Sequence, residues 1–186
     1  MNKKIPIIII LTVLISFLPI NAPSAKTIRT VYANVNHISD GDSITAETKE
    51  GTKLKVRLYG IDAPELEIRN RGTGDVMKPG QPFGRESRDY LYSQVFNKNV
   101  RLVILDIDRY RRMVAIVWRE DLNVNLEMIK SGMAEAYVEY LKDEPYKSQF
   151  IQAERQAKNG RVGIWSQGSK YERPCEFKRR VMQDNR

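Results

Sequence analysis

The sequence predicts an α+β protein, a β-barrel of about five strands with about three helices packed outside it. Three observations carry this. Short stretches of alternating apolar and polar residues, separated by Gly- and Asp-rich turns, fill the first part of the folded chain. Helical spacing is interleaved only later, an order that does not suit a repeated βαβ sheet. The apolar N-terminus reads as an address and not as part of the fold.

That N-terminus opens with Lys3 and Lys4, runs through uncharged and largely apolar residues 5–20, and ends in Asn21-Ala22-Pro23-Ser24-Ala25. A positive start, an apolar middle and a small-residue end are the signature of a secretory signal peptide. The apolar run contains Pro6 and Pro19 and is short for a membrane-spanning helix. The expected organisation is a signal peptide over residues 1–25, a barrel domain over 26–168, and a basic, flexible tail over 169–186. Secreted or periplasmic location follows from a cleaved signal; an uncleaved segment 5–20 would instead anchor the chain to a membrane.

Residues 27–39 hold alternating Val31, Ala33 and Val35, which suits a strand, and Asp40-Gly41-Asp42 is a turn signal. Residues 43–48 and 52–60 read as two more strands joined at Glu50-Gly51. In the second, Leu54, Val56 and Leu58 share one face while Lys53, Lys55, Arg57 and Tyr59 share the other. Residues 65–82 are rich in Gly, Pro and charge and are expected as a mobile loop. A helix follows over 84–96, with Tyr90, Leu91 and Val95 on its apolar face. Strands over 100–107 and 113–118 flank a turn at 108–112. A short helix over 123–131 is expected to stop at a left-handed Gly132, and a longer one over 145–159 at Gly160 in the same role. Residues 170–186 carry mixed charge and are expected as a loose tail.

Charge bounds the function. The chain of 186 residues has a formal net charge of +8, from 31 Lys and Arg against 23 Asp and Glu, which favours contact with polyanions. A single cysteine, Cys175, excludes an internal disulfide, and a single histidine, His37, excludes a zinc site of the usual Cys/His type. Both read as structural or surface positions, so any metal must be held by oxygen.

The chemically informative residues gather at element ends. Asp42 follows a turn; Asp62 and Glu65 follow a strand that breaks at Gly60 and Pro64. Carboxylates at turns, with a nearby backbone carbonyl, can form an oxygen cage for Ca²⁺, although Asp and Gly in such places also serve simply as turn formers, the reading that fits Asp40. Arg57, mid-strand beside these acids, is a candidate phosphate clamp because guanidinium offers a bidentate fork; a solvated sheet face is the alternative. Arg109-Tyr110-Arg111-Arg112 is a basic turn that could grip a phosphate with the ring against a sugar or base. Tyr137, Tyr140 and Tyr146 suit either base stacking or core packing; Trp165, Met128 and Met133 read as core.

These segments resemble the staphylococcal (micrococcal) nuclease family, also called thermonucleases, over most of the chain from about Val31 to Trp165. The resemblance rests on Asp40-Gly41-Asp42-Ser43, on Val56-Arg57-Leu58-Tyr59-Gly60-Ile61-Asp62-Ala63-Pro64-Glu65, and on Arg109-Tyr110-Arg111-Arg112-Met113-Val114-Ala115. Weaker support comes from Gly80-Gln81-Pro82-Phe83-Gly84 and Gly160-Arg161-Val162-Gly163-Ile164-Trp165. It implies a five-stranded OB-type β-barrel and one Ca²⁺ held by Asp42, Asp62 and the backbone oxygen of Ala63. It implies catalysis by Arg57, Glu65 and Arg112, with Tyr110 contacting a substrate phosphate; Arg109 of the same basic turn and Tyr140, the late tyrosine that fits the family best, are further candidate substrate contacts. The implied activity is cleavage of DNA and RNA to 3′-phosphate and 5′-hydroxyl ends by a monomer without an obligate protein partner. Three departures stand out: Arg111 occupies a position usually Gly, Ala63 one often Thr, and the 65–82 segment is long. Arg111 leaves open whether the turn keeps its shape and whether Arg111 and Arg112 have exchanged roles. Two other readings remain at this point: a non-catalytic OB-type binding module, and a basic surface protein anchored by its N-terminus.

Overall fold

The computed structural model describes residues 27–184, so the expected signal segment lies outside the described residues. Five strands make the barrel: β1 (Arg29–Asp40), β2 (Ser43–Glu47), β3 (Lys53–Leu58), β4 (Asn99–Ile107) and β5 (Met113–Arg119). β1 serves two neighbours. Its first half pairs antiparallel with β4 from Arg29 to Asn34, and its second half pairs antiparallel with β2 from Asn34 to Asp40. Register shifts at Val35/His37 and Ile38/Asp40 bend the strand between them. β2 pairs antiparallel with β3, and β4 with β5. The barrel closes where β3 meets β5 in parallel, with Val56 opposite Met113, Arg57 opposite Val114 and Leu58 opposite Ala115.

The interior is filled by one side of each strand. Val35, Ile44, Val56, Leu58, Leu102 and Ile116 are all buried, while Tyr32 and His37 on β1 are exposed. The expected face assignment on β3 agrees for Val56 and Leu58. Tyr59, just past the strand, is buried as well, because its ring packs edge-on against Tyr146 and its hydroxyl accepts hydrogen bonds from the Lys142 and Asp143 backbone.

Outside the barrel lie α1 (Gly84–Val95), α2 (Val124–Lys130), α3 (Tyr146–Asn159) and α4 (Pro174–Asp184). α2 begins where the Asn123 side chain accepts from the Leu126 N–H, and its Val124, Met128 and Ile129 are buried. α3 buries Phe150, Ala153 and Ala157. Trp165 and Met128 are core residues, as expected. Among the described residues no helix is long and apolar enough to cross a membrane.

Three expectations need correction. Gly132 does stop α2 in the left-handed region at φ 64°, but Gly160 is right-handed at φ −79°. α3 ends at Asn159 as expected, but its cap residue Gly160 keeps right-handed backbone, so the left-handed position falls on Arg161 at φ 51°, and Val162 N–H closes the cap on Ala157 O. The segment expected as a mobile loop carries a two-stranded hairpin, Ile68–Arg69 against Val76–Lys78. The segment expected as a flexible tail is helical from Pro174 to Asp184, because Pro174 and Phe177 are buried and its charged side chains pair with partners far away in the chain. Among the described residues it makes a fourth α-helix.

One buried side chain pins the closure. Asn125, fully buried in α2, accepts from Val117 N–H at 2.9 Å and donates to Tyr59 O at 3.0 Å and Ala115 O at 3.1 Å. It therefore ties α2 to both strands of the parallel seam. Asn125→Ala strands the Val117 amide and the Tyr59 carbonyl without partners and should lower stability by about 3 kcal/mol, read from urea unfolding midpoints.

Candidate active site

The Asp40-Gly41-Asp42 turn is held by Asp40 itself, whose Oδ1 accepts from Asp42 N–H at 3.1 Å. Gly41 is required by space, since a Cβ there would strike Ser87 and Ala63. The turn delivers Asp42 into a buried position. Its Oδ2 accepts from Ala63 N–H at 3.0 Å and its Oδ1 accepts from Ser43 Oγ at 3.0 Å. Arg57, opposite Ser43 in the β2–β3 register, ion-pairs with Asp42 through one nitrogen. Its other terminal nitrogen reaches Asp62 Oδ1 at 2.8 Å and Ile61 O at 3.1 Å.

Asp62 is fully buried. Ile61–Asp62 forms a short antiparallel pairing with Glu135–Ala136, which fixes where its carboxylate points. Asp62 Oδ1 takes both Arg57 and Lys178, the latter at 3.0 Å, whereas Oδ2 is buried with no hydrogen-bond partner. A buried carboxylate oxygen without a donor calls for a cation or an ordered water. Glu65 follows on the loop. Its N–H donates to Gln81 Oε1 at 3.1 Å, its Oε2 pairs with Lys78, and its Oε1 pairs with Lys178 at 2.9 Å. For Lys178, burial disfavours the charge, but Asp62 and Glu65 outweigh it and hold the ammonium above the usual lysine value.

Arg112 joins from the β4–β5 turn. Asp108 organises that turn: its Oδ1 accepts from the Tyr110 and Arg112 N–H groups at 2.9 Å each, and its Oδ2 from Arg112 Nε at 2.7 Å. Burial works against charge on Asp108, yet the hydrogen bonds from Arg112 backbone and guanidinium prevail and keep its carboxyl below the usual value. A terminal nitrogen of Arg112 reaches Ser43 Oγ at 3.4 Å, so the guanidinium is linked through Ser43 to Asp42. Tyr110 is exposed, with Arg112 at 5.6 Å and Arg109 at 4.8 Å from its ring centroid. Arg111 keeps the turn with a left-handed backbone, φ 61°.

The structure thus brings Asp42, Arg57, Asp62 and Ala63 into direct contact, joins Glu65 to Asp62 through the Lys178 ammonium, and attaches Arg112 by one bridging hydroxyl. Arg109 touches Tyr110 and is not linked to the acids. Tyr140 is exposed and pairs with Tyr137, ring centroids 4.6 Å apart. Tyr146 belongs to the core, against Tyr59 and Phe150.

Sequence reasoning missed Lys78, Lys178 and the group around Glu135. Glu135 is buried beside Asp62 and receives Tyr171 OH at 2.8 Å and Arg173 Nε at 3.0 Å. Burial chiefly, opposed by Tyr171 and Arg173 and reinforced by Asp62, pushes its carboxyl up to about 7. Among the described residues, Asp62, Glu135 and Cys175 place possible ligand atoms within 4.8 Å of one another, but Glu135 is already taken by Arg173 and Tyr171. Pro at the first helical position followed by Phe177 and Val181 one turn apart was the signal for α4.

Comparison with known proteins places this geometry. Residues 55–167 match the family model described as staphylococcal nuclease homologue. The chain is 39% identical over 142 residues to an uncharacterized endonuclease of Haemophilus influenzae, spanning 76% of this chain and 70% of that protein. It is 31% identical over 181 residues to a probable endonuclease of Clavispora lusitaniae, spanning 81% and 73% respectively. A probable staphylococcal-like nuclease of Oryza sativa subsp. japonica is 32% identical over 127 residues, which cover 68% of this chain and 29% of that protein.

Two outcomes follow from the local chemistry. Arg111→Gly relieves a left-handed backbone at an exposed position and should raise stability by about 1 kcal/mol in thermal or urea unfolding. Glu135 has a folded-state value raised from 4.5 to about 7, so the folded protein holds the extra proton in that window. Its contribution is full below the unfolded value and is lost as pH rises through about 7. Glu135→Gln should flatten that part of the stability–pH curve; an unchanged slope between variants would contradict it.

Proposed function

The chain belongs to the staphylococcal nuclease family, and from that premise we propose that it is an exported, Ca²⁺-dependent nuclease that hydrolyses phosphodiester bonds of DNA and RNA to 3′-phosphate and 5′-hydroxyl ends. The observation that carries the reading is the buried pair Asp42 and Asp62 bridged by Arg57, with Asp62 Oδ2 left without a partner. Oxygen donors of this kind fit a hard divalent cation. Asp42, Asp62 and the Ala63 carbonyl would hold it, and when bound it withdraws charge from the scissile phosphate.

The remaining work falls to side chains. Glu65 orients an attacking water and accepts its proton. In the resting arrangement each Glu65 oxygen pairs with one lysine, so the attacking water would use the remaining lone pair of an oxygen that Lys78 or Lys178 also contacts. Arg57 and Arg112 stabilise the charge that grows on the phosphoryl oxygens and on the leaving 5′ oxygen. Arg112 is suited to this because Asp108 and Ser43 hold its fork while the side chain stays partly exposed. Tyr110 and Arg109 line the approach of a phosphate, and Tyr140 with Tyr137 offers ring faces to a base. The net charge of +8 favours a polyanionic substrate. Export is read from Lys3, Lys4 and the apolar run that follows, with release outside the cell or into the periplasm; retention of that segment would leave an anchored form of the same enzyme.

In Arg57→Ala, Glu65→Ala and Arg112→Ala, with folding checked separately by circular dichroism, each arginine loss should raise the barrier by about 2.7–4 kcal/mol, a drop of roughly a hundred- to a thousand-fold in turnover. Chelation should abolish cleavage of plasmid DNA and Ca²⁺ restore it, with labelled ends scored for 3′-phosphate. Undiminished cleavage in excess chelator would refute the cation requirement. A protein that binds nucleic acid with a steep salt dependence yet never cuts it would be the non-catalytic module instead.

A further inference from the structure

The three acids of the site are each matched by a cation from this chain, and the three cations come from different places. Arg57 lies on β3, Lys78 on the hairpin and Lys178 on α4. Arg57 has a role in the reaction assigned above. Lys178 has none, yet like Arg57 it touches two acids at once. Its Nζ lies 3.0 Å from Asp62 Oδ1 and 2.9 Å from Glu65 Oε1, with the side chain two-thirds covered.

A surface lysine making such contacts would mean little, but Lys178 is held in place by its helix. Phe177 beside it is buried. Arg180 is paired with Glu172 through two nitrogens at 2.9 and 2.8 Å. Just ahead of α4, Arg173 grips Glu135 and Glu139, and the Glu172 carbonyl accepts from Gln81 Nε2 at 3.0 Å. The ammonium is therefore delivered to the acids by a docked element whose anchors lie outside the site.

We propose that Lys178 sets how much divalent cation the site requires. The inference rests on the cation reading above. Lys178 occupies one oxygen of Asp62 while the other is buried and unpartnered, so a divalent ion bound to this carboxylate would sit beside an ammonium of like charge. Each positive charge weakens the hold on the other, and the coupling is reciprocal. The ammonium keeps Asp62 and Glu65 compensated when no ion is bound, and the ion must bind against it. Taking away the charge leaves Asp62 and Glu65 less compensated and the ion without a competitor. Lys78 does not do the same, because it touches Glu65 alone from a half-exposed position.

The test is calorimetric titration of Ca²⁺ into the purified mature chain and into Lys178→Met, Lys178→Gln and Lys178→Arg, with folding followed by circular dichroism. The neutral variants should bind Ca²⁺ about tenfold or more tightly than the parent, and the arginine variant within about twofold of it. The Ca²⁺ concentration for half-maximal cleavage should shift in the same direction. Two neutral substitutions are used so that a folding defect in one does not decide the matter. Equal or weaker Ca²⁺ binding by the folded neutral variants overturns the role of Lys178 and leaves the proposed nuclease site standing. Absence of Ca²⁺ binding in all four proteins removes the cation site and this inference with it.

Discussion

The short parallel seam between β3 and β5 is the constraint on which the site depends. It spans three residue pairs, and the middle one sets Arg57 beside Val114. Because β5 begins at Met113, the same seam brings the Asp108–Arg112 turn over Ser43, which faces Arg57 across the β2–β3 ladder. Closing the barrel and assembling the guanidinium pair around Asp42 are thus one event. The seam has few strand hydrogen bonds, and a buried amide reinforces it: Asn125 reaches Val117, Tyr59 and Ala115 from α2. A parallel junction of this length is weak by itself, and a fully satisfied buried polar group is strong where water is excluded.

Burying Asp42, Asp62 and Glu65 together is unfavourable unless their charge is answered nearby. The chain answers it with groups of different character. Arg57 is a planar fork and touches Asp42 and Asp62 through two separate terminal nitrogens from one strand position. Lys78 and Lys178 are point charges on flexible stems and can withdraw with less rearrangement. The difference matters because a site that admits a phosphate must give up some of its internal pairs. Fixed support on the barrel and yielding support from the hairpin and α4 satisfy the acids at rest while leaving room for exchange.

The barrel was legible because its information is local. Strand alternation in residues 27–60, the turns at Asp40-Gly41-Asp42 and Glu50-Gly51, and the chain break at Gly60 and Pro64 together place β1 to β3 and expose the acids at their ends. The helix over Gly84–Val95 was legible from Tyr90, Leu91 and Val95 in the same way. The two misread segments failed for a common reason. The hairpin at Ile68–Lys78 is short and exposed, with Ile68, Val76 and Met77 facing solvent, so no alternation of burial marks it. α4 offers few apolar residues among many charges and looks like a solvated tail; its order comes from Arg173 on Glu135 and Lys178 on Asp62, contacts more than thirty and more than a hundred residues apart. Local pattern carries no record of such pairs. Gly160 was misassigned by a single residue, because cap position depends on where the last helical hydrogen bond closes.

Arg111 illustrates how a local rule can be broken without moving the site. A glycine there would take φ 61° without strain, and a side chain takes it at an energetic cost. The turn nevertheless keeps its shape, because Asp108 accepts from the N–H groups on both sides of Arg111 as well as from the Arg112 side chain. Three hydrogen bonds to one carboxylate over-determine the backbone between them. They also decide which arginine faces the acids. Arg112 is tied at both its amide and its Nε and points to Ser43, while Arg111 lies at the exposed apex. The identity of the inward-facing guanidinium is therefore set by Asp108 in the turn, and not by the order of arginines in the basic run.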